Sequence, residues 1–394
     1  MSTSLDCPPP ANDFFRPRRP LCAEHDSEQK CKRVCELGRS LRCERDRDRP
    51  LKATSGRPAF ALFMRAILMI VLLIPEAFTL GYLTLGLASF ASAEDAVTVA
   101  NSKDARLRQR MTGEIVEYTG ETLKLRRSDG RDETIPAARV LSFETTWPPQ
   151  RDAGLEQMRR GDYSGALVSL RAATQAEQRP WAQRRLLAAG VDCLRELGQY
   201  ERAGEAFISL YRGDPTTAEL GVIPLPWLPP TPDDRRIETK AQGWSADRDS
   251  PAAQLLGAAW LVALGQRAAP FEQLRRLTTH SDARIALLAE AQLWRAKLVS
   301  VSASDVESWE RQVERLPPSV RAGPYFVIGE AWSRLDAPQR AALAYLRVPL
   351  QFGEQRRLAA AARSAAATQL DKLGQADAAQ RLRDAAAGPM KGDR

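Results

Sequence analysis

Two patterns of hydrophobic positions follow one another along the chain, and each predicts a different kind of element. Between residues 105 and 147 apolar and polar side chains alternate, as they do from Gly113 to Tyr118, and this period of two is typical of a half-buried β-strand. Over residues 150–212 and again over 251–387 the apolar positions recur every three or four residues, which indicates amphipathic helices. The chain is therefore predicted to be mainly α-helical, with a small β-region in front of the helices.

The β-region, residues 105–147, is predicted to form a small antiparallel β-barrel of four or five short strands. Asp129-Gly130 between two alternating runs is a strong hairpin signal, and an SH3-like or Sm-like barrel suits strands of this length. The predicted core side chains are Ile115, Leu123, Leu125, Ile135, Val140 and Phe143. Such barrels can bind peptides or RNA, but the basic side chains here alternate with acidic ones, which is commoner on a solvated surface.

The first 58 residues have a composition that favours a disordered, Arg-rich tail. They hold 13 Lys and Arg against 9 Asp and Glu, with many prolines and no apolar period. Four cysteines in this tail, Cys22, Cys31, Cys35 and Cys43, offer zinc binding as an alternative. Their spacing lacks the close pair that usually forms half of a tetrahedral zinc site, so no metal site is expected.

Residues 59–93 are almost wholly apolar and predict a targeting or membrane segment. If translation begins at Met64, the segment resembles a signal peptide with cleavage between Ala93 and Glu94. If it begins at Met1, the same run is long enough for an N-terminal membrane anchor. Both interpretations place residues 94–394 outside the cytoplasm, as a periplasmic or secreted protein or one anchored in the inner membrane. A buried cytosolic helix is the remaining alternative.

The positive charge of the chain belongs partly to its N-terminal segments. The whole chain has a net charge of +8, whereas residues 94–394 hold 43 bases and 39 acids, a net charge of +4. This small excess over some 300 residues does not require a nucleic-acid partner. Nucleic-acid binding is therefore not expected.

The helical region contains an internal repeat. Gly161-Asp-Tyr163 and Gly198-Gln-Tyr200 are separated by 37 residues, and an alanine follows three residues after each tyrosine. This pattern resembles the tetratricopeptide repeat, whose unit of about 34 residues is a helical hairpin. A further copy matches the repeat at Tyr325, Gly329, Trp332, Ala341 and Tyr345, and weaker copies lie between and after these. The resemblance implies an α-solenoid over 150–212 and 251–387; the alternative is a generic helical bundle.

A proline-rich connector, residues 213–250, separates the two helical blocks. Its proline density excludes a regular helix around residues 223–232 and favours polyproline II. Two P-x-x-P motifs make it a possible ligand for SH3-type domains. The alternative is a connector laid along the solenoid, with Trp227 packed into it.

No motif for catalysis or cofactor binding is found in the sequence. The chain has two histidines, His25 and His280, and lacks a phosphate-binding glycine loop, a nucleophile elbow and a zinc-protease motif. The sequence therefore predicts no enzyme activity and no cofactor. An enzyme with an unrecognised site remains an alternative.

The resemblance to tetratricopeptide proteins of the exported bacterial type implies a scaffold or adaptor for protein or peptide partners. In that family the first helix of each pair lines a concave face that binds partners. The residues expected on this face are Arg151, Met158, Arg185, Asp192, Arg195, Phe326 and Glu330. Arginine there would suit carboxylate groups of a partner. The alternative is a β-module that binds nucleic acid or peptide, with the helices as a spacer.

Overall fold

The computed structural model describes residues 94–101 and 107–387. The predicted tail, the apolar segment 59–93, Ala93 and the N-terminal cysteines lie outside the described residues. Within the described ranges, five β-strands are followed by thirteen α-helices. None of these helices combines the length and the apolar character that crossing a membrane requires.

The five strands form one antiparallel sheet in the order β4-β3-β2-β1-β5. Their bounds are β1 Asp95–Ala100, β2 Arg108–Tyr118, β3 Thr122–Arg126, β4 Asp132–Pro136 and β5 Val140–Glu144. The first strand lies before residue 105, where the sequence predicts the β-region to start. The prediction of a barrel is wrong in one respect: the sheet is open, because β4 and β5 are its two edges and do not pair with each other in the described residues.

A helix covers the apolar face of the sheet where a barrel would close on itself. Ile115, Leu123 and Leu125 are buried in one cluster with Trp181, which lies on the third helix. The Trp181 side chain donates a hydrogen bond from Nε1 to the Ile115 carbonyl oxygen at 2.9 Å. Because this indole supplies the missing apolar cover, the sheet remains open without exposing its core.

The helices pack in sequence as hairpins, which confirms the predicted fold class of a mainly α-helical array behind a small antiparallel sheet. The first block contains α1 Pro149–Arg160, α2 Tyr163–Ala176, α3 Pro180–Glu196 and α4 Tyr200–Gly213. The second contains α5 Glu238–Ala246, α6 Pro251–Ala263, α7 Ala268–Leu277, α8 Ala283–Lys297, α9 Ala303–Val313, α10 Ala322–Arg334, α11 Pro338–Gln351, α12 Arg356–Lys372 and α13 Ala376–Ala387.

The repeated glycines end the first helix of two hairpins. Gly161 and Gly198 have φ angles of 85° and 71°, a left-handed conformation that glycine adopts without steric cost. The Asp162 side chain then caps α2 by accepting a hydrogen bond from the Gly165 N–H at 2.8 Å. The 37-residue offset therefore reflects two hairpins with the same turn.

Two further helices begin at serine caps. Ser250 caps α6, because its side chain accepts a hydrogen bond from the Ala253 N–H at 3.2 Å, and Pro251 follows as the first helical residue. Ser302 and Asp305 form a capping box at the start of α9. Ser302 lies directly before Ala303, the first residue of that helix.

The connector is ordered, and its residues 222–226 are buried. It contains two 3₁₀ turns, Ala218–Val222 and Pro232–Ile237, and ends in helix α5. Between the turns the backbone has no helical or strand structure. The side chains of Leu220, Ile223 and Leu225 are at most 4% exposed, so this segment belongs to the hydrophobic core of the array.

Candidate binding groove

Helix α3 has two opposite faces that matter for binding. Successive residues of an α-helix are about 100° apart around its axis. On this spacing Arg185, Asp192 and Arg195 lie on one face, and Leu187 and Gly190 lie on the opposite one. The sequence predicts the first of these faces as the partner-binding surface.

Arg185 is occupied by the chain itself. Its guanidinium lies 3.2 Å from the Glu219 carboxylate in the connector. The same group stacks over the rings of Tyr118 and Phe143, 4.7 and 5.0 Å from their centroids. Cation–π contacts of this kind favour a flat, partly dehydrated guanidinium. Arg185 thus joins the sheet, helix α3 and the connector.

Arg195 and Asp192 occupy the same face and are also engaged. Arg195 donates from Nη1 to the Gly221 carbonyl oxygen at 3.2 Å, and its Nη2 lies 2.6 Å from the Asp192 carboxylate. The structure therefore brings together three of the predicted binding residues, Arg185, Asp192 and Arg195. It places the connector against them.

Aromatic side chains fix the connector to the second helical block. Trp260 on α6 is 1% exposed and donates from Nε1 to the Pro224 carbonyl oxygen at 2.9 Å. The Trp227 ring lies against Gly323 on α10 so closely that a Cβ atom at residue 323 would overlap the ring. The connector is therefore part of the packed interior.

Arg284 at the start of α8 binds the beginning of the connector. Its guanidinium donates to three successive carbonyl oxygens at 2.9 Å each, those of Pro215, Thr216 and Thr217. It also pairs with Asp282, with Nη2 2.7 Å from the carboxylate. The hydrogen bond to Asp282 raises the pKa of Arg284. Burial acts to raise the pKa of Asp282, but the hydrogen bonds from Arg284 and its positive charge outweigh burial, so the pKa of Asp282 is lowered. This guanidinium satisfies backbone acceptors that no helix or strand would satisfy.

Helix α12 touches the turn of the first hairpin. Arg356, its first residue, donates a hydrogen bond to the Arg159 carbonyl oxygen at the end of α1. The same guanidinium lies 5.8 Å from the centroid of the Tyr163 ring and next to Gly161. A cation is favourable at the carbonyl end of a helix.

The next residue repeats this contact on the second hairpin. The Arg357 guanidinium lies 5.6 Å from the Tyr200 ring centroid and next to Gly198. Its backbone N–H donates to the Glu196 carboxylate at 2.9 Å. Burial raises the pKa of Glu196. Two consecutive arginines thus bind equivalent turns, and the late helices fold back on the early ones.

The other predicted binding residues are dispersed. The Arg151 guanidinium lies 4.4 Å from the Trp147 ring centroid, and Met158 is half-buried against the core under α2. Phe326 is 5% exposed and packs edge-on against Tyr345. Met158 and Phe326 pack into the core, whereas Arg151 is partly exposed and pairs with the exposed Asp152 at 2.8 Å.

Glu330 is half-buried on α10 between two basic side chains. Burial raises its pKa, and the nearby Arg295 and Arg334 oppose that rise. Burial also lowers the pKa of Arg295. The direction of both shifts shows that loss of water outweighs the attraction between these groups.

The opposite face of α3 forms the floor of an open groove of about 790 Å³. Helices α2 and α4 form its two walls. Leu187 and Gly190 lie in the floor, and Leu167, Val168 and Ala206 line the walls. Val168 is 72% exposed, and a Cβ atom at residue 190 would meet nothing within 4 Å. This surface is mostly apolar, and no other residue that the structure describes covers it.

Positive charge lines the groove. Arg171 on α2 and Arg202 on α4 both line it, and neither forms an ion pair within the part of the chain that the structure describes. Arg202 donates to the Gln199 side-chain oxygen at 2.5 Å. The acidic Glu205 on α4 is already paired with Lys240, 2.5 Å away. The groove therefore combines an apolar floor with two available guanidinium groups.

The sequence interpretation did not predict this groove. One signal for it is Gly190, because a glycine inside a helix costs stability and usually has a packing or functional reason. Nothing in the repeat pattern distinguishes which face of α3 remains open, since that depends on the distant connector.

The candidate site contains no arrangement typical of metal binding. Across residues 94–101 and 107–387, no group of three or more His, Cys, Asp and Glu side chains could hold a metal ion. Cys193 is buried, and burial raises the pKa of its thiol to about 12, which disfavours the reactive thiolate.

Comparison with known proteins adds no assignment. No protein-family model matches the chain, and no curated protein matches it.

Proposed function

We propose that this protein is a non-enzymatic scaffold that binds a protein or peptide partner in the groove between α2, α3 and α4. One observation carries the proposal: the face of α3 that is left uncovered is apolar and lies in a groove of about 790 Å³. Exposed apolar grooves of this kind are commonly interaction sites.

The proposed binding surface is not the face of α3 that the repeat resemblance implies, but the opposite one. Arg185 and Arg195 would have to release the connector before they could bind a partner, because Glu219 and the Gly221 carbonyl occupy them. The apolar groove needs no such rearrangement. A tetratricopeptide-type scaffold with its working surface on the other side of α3 is thus the function that these contacts support best.

The location of the protein is a separate proposal. We infer from residues 59–93 and from the Ala93-Glu94 junction that residues 94–394 are exported or anchored to the membrane. N-terminal sequencing of the mature protein tests this. A chain that starts at Glu94 supports export, and a soluble cytosolic chain that starts at Ser2 contradicts it.

The alternative of a β-module with a helical spacer receives little support from the contacts. Trp181 of α3 lies in the core of the sheet and bonds to the Ile115 carbonyl oxygen. Arg179 donates to the Thr146 carbonyl oxygen at 2.7 Å. A spacer would not share its core with the module that it separates, so we favour the sheet as a fixed end of the helical array.

A variant that fills the groove tests the proposed function. Gly190→Leu places a side chain into open space on the floor, so we expect the fold to be kept and partner binding to be lost. Gly243→Leu is the matched control, since a Cβ atom there also meets nothing within 4 Å and residue 243 lies outside the groove. The measurement is quantitative affinity capture with the full chain, after circular dichroism has shown that both variants are folded.

Two results would contradict the proposal. Partners that both variants retain equally would place binding elsewhere than the groove. Partners that Gly243→Leu releases as completely as Gly190→Leu would show that the effect is not specific to this surface.

A further inference from the structure

We infer that the groove accepts an acidic segment of a partner protein, with apolar side chains on the α3 floor and carboxylates facing Arg171 and Arg202. This inference rests on the proposed function, because it names the chemistry of the partner that the groove would bind. Two observations support the inference: the groove exposes apolar surface, and it is lined by two arginines that form no ion pair with the described residues.

The floor and walls of the groove contain apolar surface that the fold leaves exposed. Val168 is 72% exposed, and Leu167 and Leu187 are half-buried against the core beside it. Gly190 leaves room between them for a side chain from outside. Covering these groups removes apolar surface from water, which is favourable by about 25 cal/mol for each Å².

Each of the two walls of the groove carries an exposed arginine. Arg171 on α2 and Arg202 on α4 both line the groove, and no carboxylate of the described residues pairs with either. The one acid in the lining, Glu205, is paired with Lys240. Guanidinium groups bind carboxylates by two parallel hydrogen bonds. An apolar segment that also carries Asp or Glu would therefore be favoured over a basic one.

The positive charge of the groove also disfavours two other occupants, the chain's own N-terminal residues and a second copy of the chain. The chain's own first 58 residues carry 13 bases and 9 acids, so their net charge repels the two arginines. A second copy of the chain that paired its groove with the same groove would bring like charges together, because such a symmetric contact places each patch on itself. A partner of opposite charge, different from this chain, is the occupant that the groove favours.

The test is a selection from a displayed library of random peptides on the full-length protein. Peptides that also bind Gly190→Leu are removed by counter-selection, so only groove-dependent sequences remain. We expect these sequences to combine apolar residues with an excess of Asp and Glu over Lys and Arg, relative to the unselected library.

A charge-reversal variant then tests the two arginines directly. For the selected peptides, Arg171→Glu together with Arg202→Glu should weaken binding about tenfold, from the loss of two exposed ion pairs and their replacement by repulsion. Arg276→Glu with Arg311→Glu is the matched control, since both side chains are exposed and lie on α7 and α9. Fluorescence anisotropy with labelled peptides measures the affinities, and the control should bind as tightly as the unaltered protein.

The outcomes separate this inference from the proposed function. Groove-dependent peptides that are neutral or basic, or that bind the reversed variant equally well, would overturn the acidic partner and leave the groove as the binding site. No enrichment of groove-dependent peptides would overturn both. Acidic peptides that lose affinity only in the Arg171 and Arg202 variant support both.

Discussion

The two faces of helix α3 differ in a way that their residue types alone would not suggest. The face with Arg185, Asp192 and Arg195 is charged but covered by the connector. The face with Leu187 and Gly190 is apolar but open. In most helices the polar face meets solvent and the apolar face is buried. In α3 this order is reversed, because the connector between the two helical blocks covers the charged face. A segment inserted into a helical array can therefore determine which side of a helix stays exposed.

The charged face can be covered because its arginines bind the groups that cover it and a neighbouring aspartate on the same helix. Arg185 meets a carboxylate and two aromatic rings, and Arg195 meets a carbonyl oxygen and Asp192. A guanidinium tolerates such surroundings, since it is planar and weakly hydrated. Among the described residues, the open face has no comparable partner.

The largest expected effect comes from removing the anchor of the connector. We expect Trp260→Ala to lower the free energy of unfolding by about 3–5 kcal/mol, because a buried indole leaves a cavity and the Pro224 carbonyl oxygen loses its donor. Val168→Ala in the open groove should change stability by less than about 0.5 kcal/mol, as exposed substitutions usually do. Urea unfolding followed by circular dichroism measures both.

Equal effects of these two substitutions on stability would contradict the difference between the covered and the open face of α3. If Trp260→Ala changes the free energy of unfolding only slightly, the connector is attached loosely. The charged face would then again be a candidate for partner binding. A large effect of Val168→Ala would mean that the groove is part of the packed core.

A second prediction compares a glycine packed against the connector with a glycine on the floor of the open groove. Gly323→Ala should lower the free energy of unfolding by about 1–3 kcal/mol, because its Cβ atom would overlap the Trp227 ring. Gly190→Ala should raise it by about 0.5–1 kcal/mol, since alanine favours the helix and meets no neighbour. The measurement is the urea midpoint at constant slope. Opposite signs for the two variants are the diagnostic result, and a loss of stability at both positions would contradict an open floor at residue 190.

Signals that act over a few residues predicted much of the fold. The alternation of apolar and polar residues predicted β2, and the Asp129-Gly130 pair predicted the β3–β4 hairpin. The glycine turns predicted the first two helical hairpins. Strand β1 was missed, because its six residues follow a long apolar segment and acquire their meaning only by pairing with β2 and β5. The closed barrel was wrong for a related reason, since a tryptophan 66 residues after Ile115 covers the sheet.

The groove proposed to bind a partner was harder to predict than the fold. Arg185 and Arg195 lie on one face of α3, as the helical period predicts, but their partners Glu219 and Gly221 lie about 30 residues further along. Contacts over such a separation leave no period in the sequence. Gly190 could be noticed as an unusual residue within a helix, whereas the empty space above it depends on the positions of α2 and α4.

The smallest effect that we predict concerns Glu330, another residue that the sequence places on a binding face. Burial raises the pKa of its carboxyl group, so the folded protein holds this proton more tightly than the unfolded chain does. Stability must then fall as the pH rises from the ordinary glutamate pKa of about 4.3 through the raised value, and remain lowered above it. In Glu330→Gln this loss is absent, so the variant should gain stability relative to the unaltered protein at pH 7 but not at pH 4. The exposed Glu354→Gln is the control for the change in charge, and urea unfolding at both pH values is the measurement. If Glu330→Gln instead loses stability at pH 7, the carboxylate is stabilised by Arg295 and Arg334, and this part of the array resembles the satisfied charged face of α3.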